Sequence, residues 1–573
     1  MPLLRRPRHM LVLTLLLLVA MLTPAVASAS DGAERERDKD RASGIQSYVK
    51  KMQPGWNLGN TFDATGADET SWGNPRVTKS QIKAIAKQGF NSIRIPVTWQ
   101  QHMGGAPDYS IDPAFLDRVE EVVDWSLDEG LYVMINLHHD SWLWVTNMGT
   151  EHDEVLARYN AAWTQIADRF KNYSTKLSFE SINEPRFTSG WGEDSSAFFT
   201  YLAELNTSFH EIVRASGGKN DVRPLVLPTL ETNASQDRLD QLYGTIQSLN
   251  DPNLIATVHY YGFWPFSVNI AGFTRFEEQT QKDITDTFDR VYDSFVAKGI
   301  PVILGEFGLL GFDKNTGTIE QGEKLKFFEF LIDYLNQKNI THMLWDNGQH
   351  FDRLKLTWKD QQLFDLMKAS WKGRSATAAS DLIFLKQGAD IQDASVTLNL
   401  NGNKLSAIRA GKDKLKKGRD YELSGDTLTF KAALLKKLTA SGQLGENAEL
   451  VAEFNKGADW TFDVITYKAP TLASAEGTSE SFAIPTAFNG DRLATMEAVY
   501  AVGGNAGPQN WTSFKEFGYA FTPDYAAGTV VLPANFFNEV NDGVVNLKLH
   551  FWSGEIVNYT IAKQGASVTG TAS

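Results

Sequence analysis

From residue 54 to residue 372 the chain repeats one pattern. A short apolar run ends on polar or charged residues, and a longer stretch with apolar positions at helical spacing follows it. Eight such runs predict strands over residues 55–60, 92–99, 132–140, 177–184, 224–229, 254–261, 301–308 and 341–348. Helices are predicted over residues 79–88 behind a Thr78 cap, 113–129, 155–171 and 321–338. Eight strand–helix repeats in about 320 residues imply a closed (β/α)8 TIM barrel. An open doubly wound sheet is the alternative fold, but it brings a glycine-rich phosphate loop that this sequence lacks.

Past Lys372 the pattern changes to short alternating strands separated by Gly, Asn and Asp turns. The run 395–400 ends in Asn401-Gly402, a hairpin signal, and residues 421–430 read as two strands around Ser424-Gly425-Asp426. A second junction at Pro470 precedes another all-β stretch, ending in strands 545–552 and 555–561 around a Ser553-Gly554 turn. The expected organisation is multidomain, a TIM barrel at 44–375 followed by two small all-β sandwich modules at 380–468 and 470–565. Both connectors are short, so the modules should sit against each other.

The first residues read as an address. Arg5, Arg6 and Arg8 precede an apolar stretch from Leu11 to Leu22, and Ala27-Ser28-Ala29 supplies a cleavage site. The apolar stretch is short for a membrane span of about 20 residues. Residues 1–29 are therefore expected to be a secretory signal cut after Ala29, with a charged solvated tail at 30–43. The mature protein should be extracellular, free of the membrane and monomeric.

Composition narrows the chemistry. The chain of 573 residues has no cysteine and a formal net charge of −14. Without cysteine there are no disulfides, thiol nucleophiles or zinc–thiolate sites. The acidic balance argues against nucleic acid, which clustered basic charge would bind. Of 15 tryptophans, 12 fall between Trp56 and Trp371, more than one core needs, which leaves some for a surface that stacks on ligand.

In a (β/α)8 barrel the functional groups gather at the C-terminal ends of the strands. Those ends carry Asn60, Arg94, His138, His139, Asn183, Glu184, His259, Tyr261, Glu306 and Trp345. Two glutamates stand out, in Asn183-Glu184-Pro185 at the end of the fourth predicted strand and Gly305-Glu306-Phe307-Gly308 at the end of the seventh. A lone strand-end glutamate often caps the next helix. Two facing carboxylates are what hydrolysis of a glycosidic bond requires. His138-His139-Asp140 invites a metal reading, but no third partner stands at ligand spacing and no H-E-x-x-H occurs, so neither metal nor cofactor is expected. An aldolase-like barrel would need a strand-end Schiff-base lysine, and none is present.

The stretches GWNLGNTFD, SIRIPVTW, NLHHD, INEP, VHYYGFW, GEFG and WDNG span the whole barrel. With them, residues 54–372 resemble the catalytic domain of glycoside hydrolase family 5, most closely its endo-β-1,4-glucanase branch. The resemblance implies Glu184 as general acid/base and Glu306 as nucleophile. Arg94 would hold Glu306 ionised, Asn183 would donate to the sugar 2-hydroxyl, Tyr261 to Glu306, and His259 would contact the acid/base. His138 would bind the sugar at the cleavage subsite, with Asn60 and His139 also contacting substrate. Trp345 would stack under a pyranose ring. Trp142, Trp144, Trp191 and Trp264, in loops after strands, are candidates for further subsites, with packing as the competing role. Such an enzyme is expected to retain anomeric configuration, with carboxyl groups about 5–5.5 Å apart.

Residues 381–468, through YELSGDTLTF and the following 431–438, resemble an X2-type immunoglobulin-like module, with a spacer role. Residues 471–565, through FAIPTAFNG, GYAF and LHFWSGEIVNYTI, resemble a family 46 carbohydrate-binding module. Trp511 is its expected exposed sugar contact, while Trp552 sits in a predicted strand. The expected partner is a β-glucan polysaccharide: cellulose first, with xyloglucan or mixed-linkage β-glucan as the alternative preference. A catalytically dead carbohydrate-binding barrel would require loss of one glutamate, and both are present.

Overall fold

The computed structural model describes residues 44–572; the expected signal at 1–29 and tail at 30–43 lie outside the described residues. Eight parallel strands close a barrel in chain order. They are β1 (Gly55–Asn57), β2 (Ser92–Ile95), β3 (Tyr132–Asn136), β4 (Leu177–Glu180), β5 (Leu225–Pro228), β6 (Leu254–Tyr260), β7 (Val302–Phe307) and β8 (Thr341–Leu344). Every strand residue except Tyr132 is buried, because the strands are covered by helices outside and by one another's side chains inside. The helices start where capping chemistry puts them. Thr78 accepts the Gln81 N–H at the head of Lys79–Gln88, and Gly89 ends that helix at φ 106°, a left-handed conformation that favours glycine.

A helical segment over residues 44–52 stoppers the opposite end of the barrel. Ile45, Val49 and Met52 pack on Met134, Val226, Ile255, Ile303 and Met343. Its last turns are tied to strand starts, with the Ser92 hydroxyl donating to Met52 O and the Thr341 hydroxyl to Val49 O. Function is thereby confined to the C-terminal face.

The observed strands are shorter than the predicted runs, and most polar ends fall just beyond them. Ladder-like main-chain bonds still hold those ends in place. His138 N donates to Val97 O at 2.8 Å, Asn183 N to Leu137 O at 2.8 Å, and Trp345 N to Phe307 O at 3.0 Å.

The first appended module is a sandwich of a four-stranded and a five-stranded sheet. Here Asn401-Gly402 does not make the expected hairpin. Both residues have positive φ, 47° and 79°. The strands on either side, Ala394–Asn399 and Leu405–Ala410, nevertheless join opposite sheets, pairing with Thr427–Phe430 and Gly445–Phe454. The turn is a crossover between layers. The C-terminal module is one unbroken nine-stranded sheet folded over its own core, and its last strand, Ser567–Ala572, lies past the expected end at 565. Trp552 falls in the turn after strand Gly543–Phe551 and lies under the Arg275 guanidinium of the barrel at 5.0 Å.

The three units form one packed arrangement. Arg374, at the end of the barrel, clamps Glu329 at 2.6 and 2.7 Å and accepts on its main-chain oxygen from Asn403 Nδ2 of the first module at 3.0 Å. Arg492 reaches Asp463 at 3.2 Å between the two modules. The C-terminal module docks on the loop after β6: Asn269 Nδ2 donates to Ala494 O at 3.0 Å, Phe517 N to Asn269 O at 3.2 Å, and Ala271 N to Phe514 O at 3.3 Å. Among the described residues no helix is long and apolar enough to cross a membrane.

Candidate active site

A bulge aims Glu306. Along β6 and β7 Val258 pairs with Leu304 and the next residue, His259, pairs with Glu306, so Gly305 is an extra residue in β7. A Cβ on Gly305 would meet His259 Nε2 and Thr257 Oγ1 at 2.9 Å, a clash that only glycine avoids. The bulge bends β7 and turns the Glu306 carboxylate into the barrel mouth.

Arg94, fully buried, organises the floor. Its Nη1 donates to Glu306 Oε1 at 2.6 Å and Asn57 Oδ1 at 3.0 Å, its Nη2 to Asn183 Oδ1 at 2.7 Å, and its Nε to Glu180 Oε2 at 2.8 Å. Burial works against its charge, but Glu180 and Glu306 outweigh that and keep the guanidinium protonated. The Asn183 oxygen is thus occupied, leaving its N–H groups to face the mouth.

Glu306 is buried, which alone would raise its pKa. The charges of His259 and Arg94, and hydrogen bonds from Tyr261 and Arg94, overcome burial and hold it below the ordinary carboxylate range. Tyr261 supplies the shortest side-chain contact to Glu306 Oε2, its hydroxyl at 2.6 Å. That phenol stays protonated, because burial and the negative charges of Glu306, Asp313 and Glu184 push it well above its usual value.

Glu184 stands four residues beyond β4 at φ 41°, a left-handed conformation uncommon for a residue with a Cβ. His259 Nδ1 lies 2.9 Å from Glu184 Oε1 and 3.6 Å from Glu306 Oε2, between the two acids. Ligand-type atoms of Glu184, His259 and Glu306 all lie within 4.8 Å of one another. His138 has its Nδ1 facing the Asn136 amide nitrogen at 3.1 Å, which leaves Nε2 to face Glu306 at 4.0 Å. Burial, then the nearby charges of His139, Arg94 and His259, keep His138 neutral.

The sugar-contact candidates separate by exposure. Trp345 lines the mouth, its indole parallel to His138 at 6.0 Å and its far edge pressed on Gly59. Asn60, half-buried at φ 51°, is held by Asp63, which also takes the Thr61 N–H. His139 accepts from Trp142 Nε1 at 2.8 Å and faces Asp63 at 3.6 Å. Trp142, Trp191, Trp264 and Trp511 are all exposed. Trp144 is not: it is buried, bonded to Asp140 and covered by Arg158 at 4.5 Å, so it is a packing residue. Trp264 of the barrel and Trp511 of the C-terminal module meet with ring centroids 6.3 Å apart.

Sequence reasoning missed two residues here. Glu180, the buried second acid of Arg94, lay unremarked within the fourth predicted strand, where a charged residue inside a barrel strand was the available signal. Trp72, exposed beside His139 at 5.2 Å, sits in the polar loop after β1, where a tryptophan among Gly, Asp and Ser was the available signal. Two cavities flank the mouth. One of about 390 Å³ lies by Trp142 and Arg186; another of about 500 Å³ lies at the module seam between Asp313, Gln349, Glu516 and Tyr519.

Three family models match the chain in order. They are Cellulase (glycosyl hydrolase family 5) over residues 57–351, Carbohydrate binding domain X2 over 377–464, and the family 46 Carbohydrate binding domain over 468–571. Endoglucanase B of Paenibacillus lautus is 60% identical over 570 residues, covering 99% of this chain and 100% of that one. The full-length tri-modular endo-β-1,4-glucanase B from Bacillus halodurans is 62% identical with a TM-score of 0.92, covering 92% of this chain and 99% of that one. A tri-modular family 5, subfamily 4 endo-β-1,4-glucanase from Bacillus licheniformis, solved with cellotetraose, is 32% identical with a TM-score of 0.79, again covering 92% and 99%.

Proposed function

Because the chain belongs to glycoside hydrolase family 5, and is an endo-β-1,4-glucanase carrying an X2 and a family 46 carbohydrate-binding module, we propose that it cleaves internal β-1,4-glucosidic bonds with retention of configuration. The observation that carries this reading is the pair of carboxylates with oxygens within 4.8 Å of each other, nearer the retaining spacing of about 5–5.5 Å than the inverting ~6.5–9.5 Å.

In the first step the ionised Glu306 attacks the anomeric carbon while protonated Glu184 delivers its proton to the leaving oxygen. Arg94 and Tyr261 keep Glu306 charged and oriented without reorganising at the moment of attack. Asn183 donates from its free N–H to the 2-hydroxyl, a bond that tightens as the ring gains oxocarbenium character. The covalent bond consumes the charge of Glu306, and Glu184, now a carboxylate, takes a proton from the water that releases the sugar. His138 and His259 line the subsite, and Trp345 supports the ring there. Trp142, Trp191, Trp264, Asn60 and His139 contact neighbouring units.

Trapping tests the mechanism. A 2-deoxy-2-fluoro glucoside with a good leaving group should add one glycosyl mass to Glu306, and proton NMR should detect the β-anomer first. Full activity in Glu306→Gln, or α-anomer as first product, would refute it.

We further infer that the enzyme is secreted, from the arginine, apolar and Ala-Ser-Ala order of residues 1–29. Cellulose-type β-1,4-glucan is its first substrate. Xyloglucan or mixed-linkage β-glucan is the second reading, supported by the likeness to a xyloglucan-specific family 5 endo-β-1,4-glucanase, 30% identical with a TM-score of 0.52. Initial rates on carboxymethyl cellulose, xyloglucan, barley-type β-glucan and mannan decide between them. Trp264 and Trp511 lengthen the cleft; truncation after residue 470 should then weaken activity on soluble polymers as well as on solids.

A further inference from the structure

Lys515 is completely buried in the C-terminal module. Its ammonium donates to three main-chain carbonyls, Thr512 O at 2.7 Å, Pro508 O at 3.1 Å and Gln509 O at 3.5 Å. A lysine has three N–H donors, and all of them are spent on one short loop. The accepting residues stand on both sides of Trp511. The same loop is held by Asn505 Nδ2 on Asn510 O at 2.9 Å and by Gln509 Nε2 on Glu516 Oε2 at 2.9 Å, with Gln509 at φ 50°.

Burying an ammonium among neutral carbonyls is unfavourable, and an apolar side chain would fill the same space at less cost if packing were all that mattered. What the loop presents is Trp511, 58% exposed and next to Trp264. We propose that Lys515 is a positioning residue: by gathering the carbonyls of 508, 509 and 512 it fixes Trp511 beside Trp264, so that two indoles on different modules act as one sugar platform. This rests on the reading of Trp511 as a sugar contact.

Burial lowers the Lys515 pKa to about 8, opposed only by Glu539 acting through space. The other ionisable groups around it have partners of their own. Glu516 on the same loop holds Gln509 and is influenced by Lys314 of the barrel. Glu497 on the adjoining strand takes Ser513 and His550. A neutral amine offers two donors and turns a lone pair toward carbonyl oxygen, so the tie slackens as pH rises through about 8.

The experiment uses the full chain as wild type, Trp511→Ala, Lys515→Met and the double variant, on soluble β-glucan and on a short chromogenic cellobioside. Trp511→Ala should raise polymer KM on the order of 3- to 10-fold, a larger change than on the cellobioside. Lys515→Met should reproduce most of that rise and add nothing in the Trp511→Ala background. The polymer rate ratio of wild type to Trp511→Ala should fall between about pH 7 and about pH 9.5. If Trp511→Ala has no effect, the platform reading itself fails. If Trp511→Ala weakens binding but Lys515→Met does not, or if Lys515→Met does equal harm in both backgrounds, the positioning role is overturned while the platform stands. Should Lys515→Met melt the module, the wild-type pH series decides, and a flat ratio overturns the proposal.

Discussion

Tyr261→Phe isolates the hydrogen bond that sets the ionisation of Glu306. The phenol donates to Glu306 Oε2 at 2.6 Å in a buried setting, and a hydrogen bond to a charged group contributes about 1.5–3 kcal/mol. One pKa unit corresponds to about 1.4 kcal/mol, so its removal should raise the Glu306 pKa by about 1–2 units. The sign follows from the native state. Glu306 is held below its ordinary range, Tyr261 is one of the groups holding it there, and the deletion moves it back up. Arg94 at 2.6 Å and His259 at 3.6 Å remain, so the group stays ionised at neutral pH and the plateau rate changes less than the limb. The assay is kcat/KM on a soluble β-glucan across the acidic range, whose limb reports the free enzyme. The limb should shift to higher pH by about 1–2 units. Stability carries the same signature. A depressed folded pKa contributes stability above the unfolded value of about 4.3, and loses it as pH falls through the folded value, so the melting-temperature gap between neutral and acidic pH should narrow in the variant. A limb that stays in place while the rate drops would show that Tyr261 acts on substrate rather than on Glu306.

Four other changes test separate features of the fold and site. Gly305→Ala forces His259 and Thr257 away from contacts at 2.9 Å; kcat should fall on the order of 100-fold while circular dichroism stays native, and a fully active variant would deny the bulge its role. At the seam between barrel and first module, the buried carboxyls of Glu320 and Asp381 interact with each other, and Glu320 Oε1 and Asp381 Oδ1 have no hydrogen-bond partner. Burial, then the charge of Glu320, raises Asp381 well above its usual range, and burial raises Glu320 too. Raised folded values mean stability that is complete below about pH 4 and lost as pH climbs through them. Asp381→Asn should therefore flatten that loss and melt above wild type at alkaline pH, by differential scanning calorimetry. Trp142→Ala should raise KM with little change in melting temperature, whereas Trp144→Ala, in the core, should destabilise by about 3–5 kcal/mol in denaturant unfolding; the reverse pattern would overturn the division made between them.

Local pattern was enough to find the barrel and most of its mouth. Strand and helix periods are properties of neighbouring residues, and a (β/α)8 closure puts every strand end on one face, so Asn60, Arg94, His138, Asn183, Glu184, His259, Tyr261, Glu306 and Trp345 were legible together. The strands are shorter than the apolar runs suggest because ladder bonds continue past them, as at His138 and Asn183, without regular strand geometry.

Other features are set by partners far away in the chain. Glu180 became part of the site only when Arg94, 86 residues earlier, came to lie against it. Trp142 and Trp144 are two residues apart in one loop, yet one faces solvent and the other lies under Arg158. Asn401-Gly402 has the backbone of a tight turn, but the cores of two sheets pull its flanking strands apart. The sequence by itself determined the architecture, the pair of acids and the order of modules, since these follow from local periodicity and residue type. Only the tertiary structure decided which acid steadies Arg94, how a one-residue bulge aims Glu306, and that Trp511 comes to rest beside Trp264. Those outcomes depend on packing and desolvation between segments far apart in the chain, which no local pattern encodes.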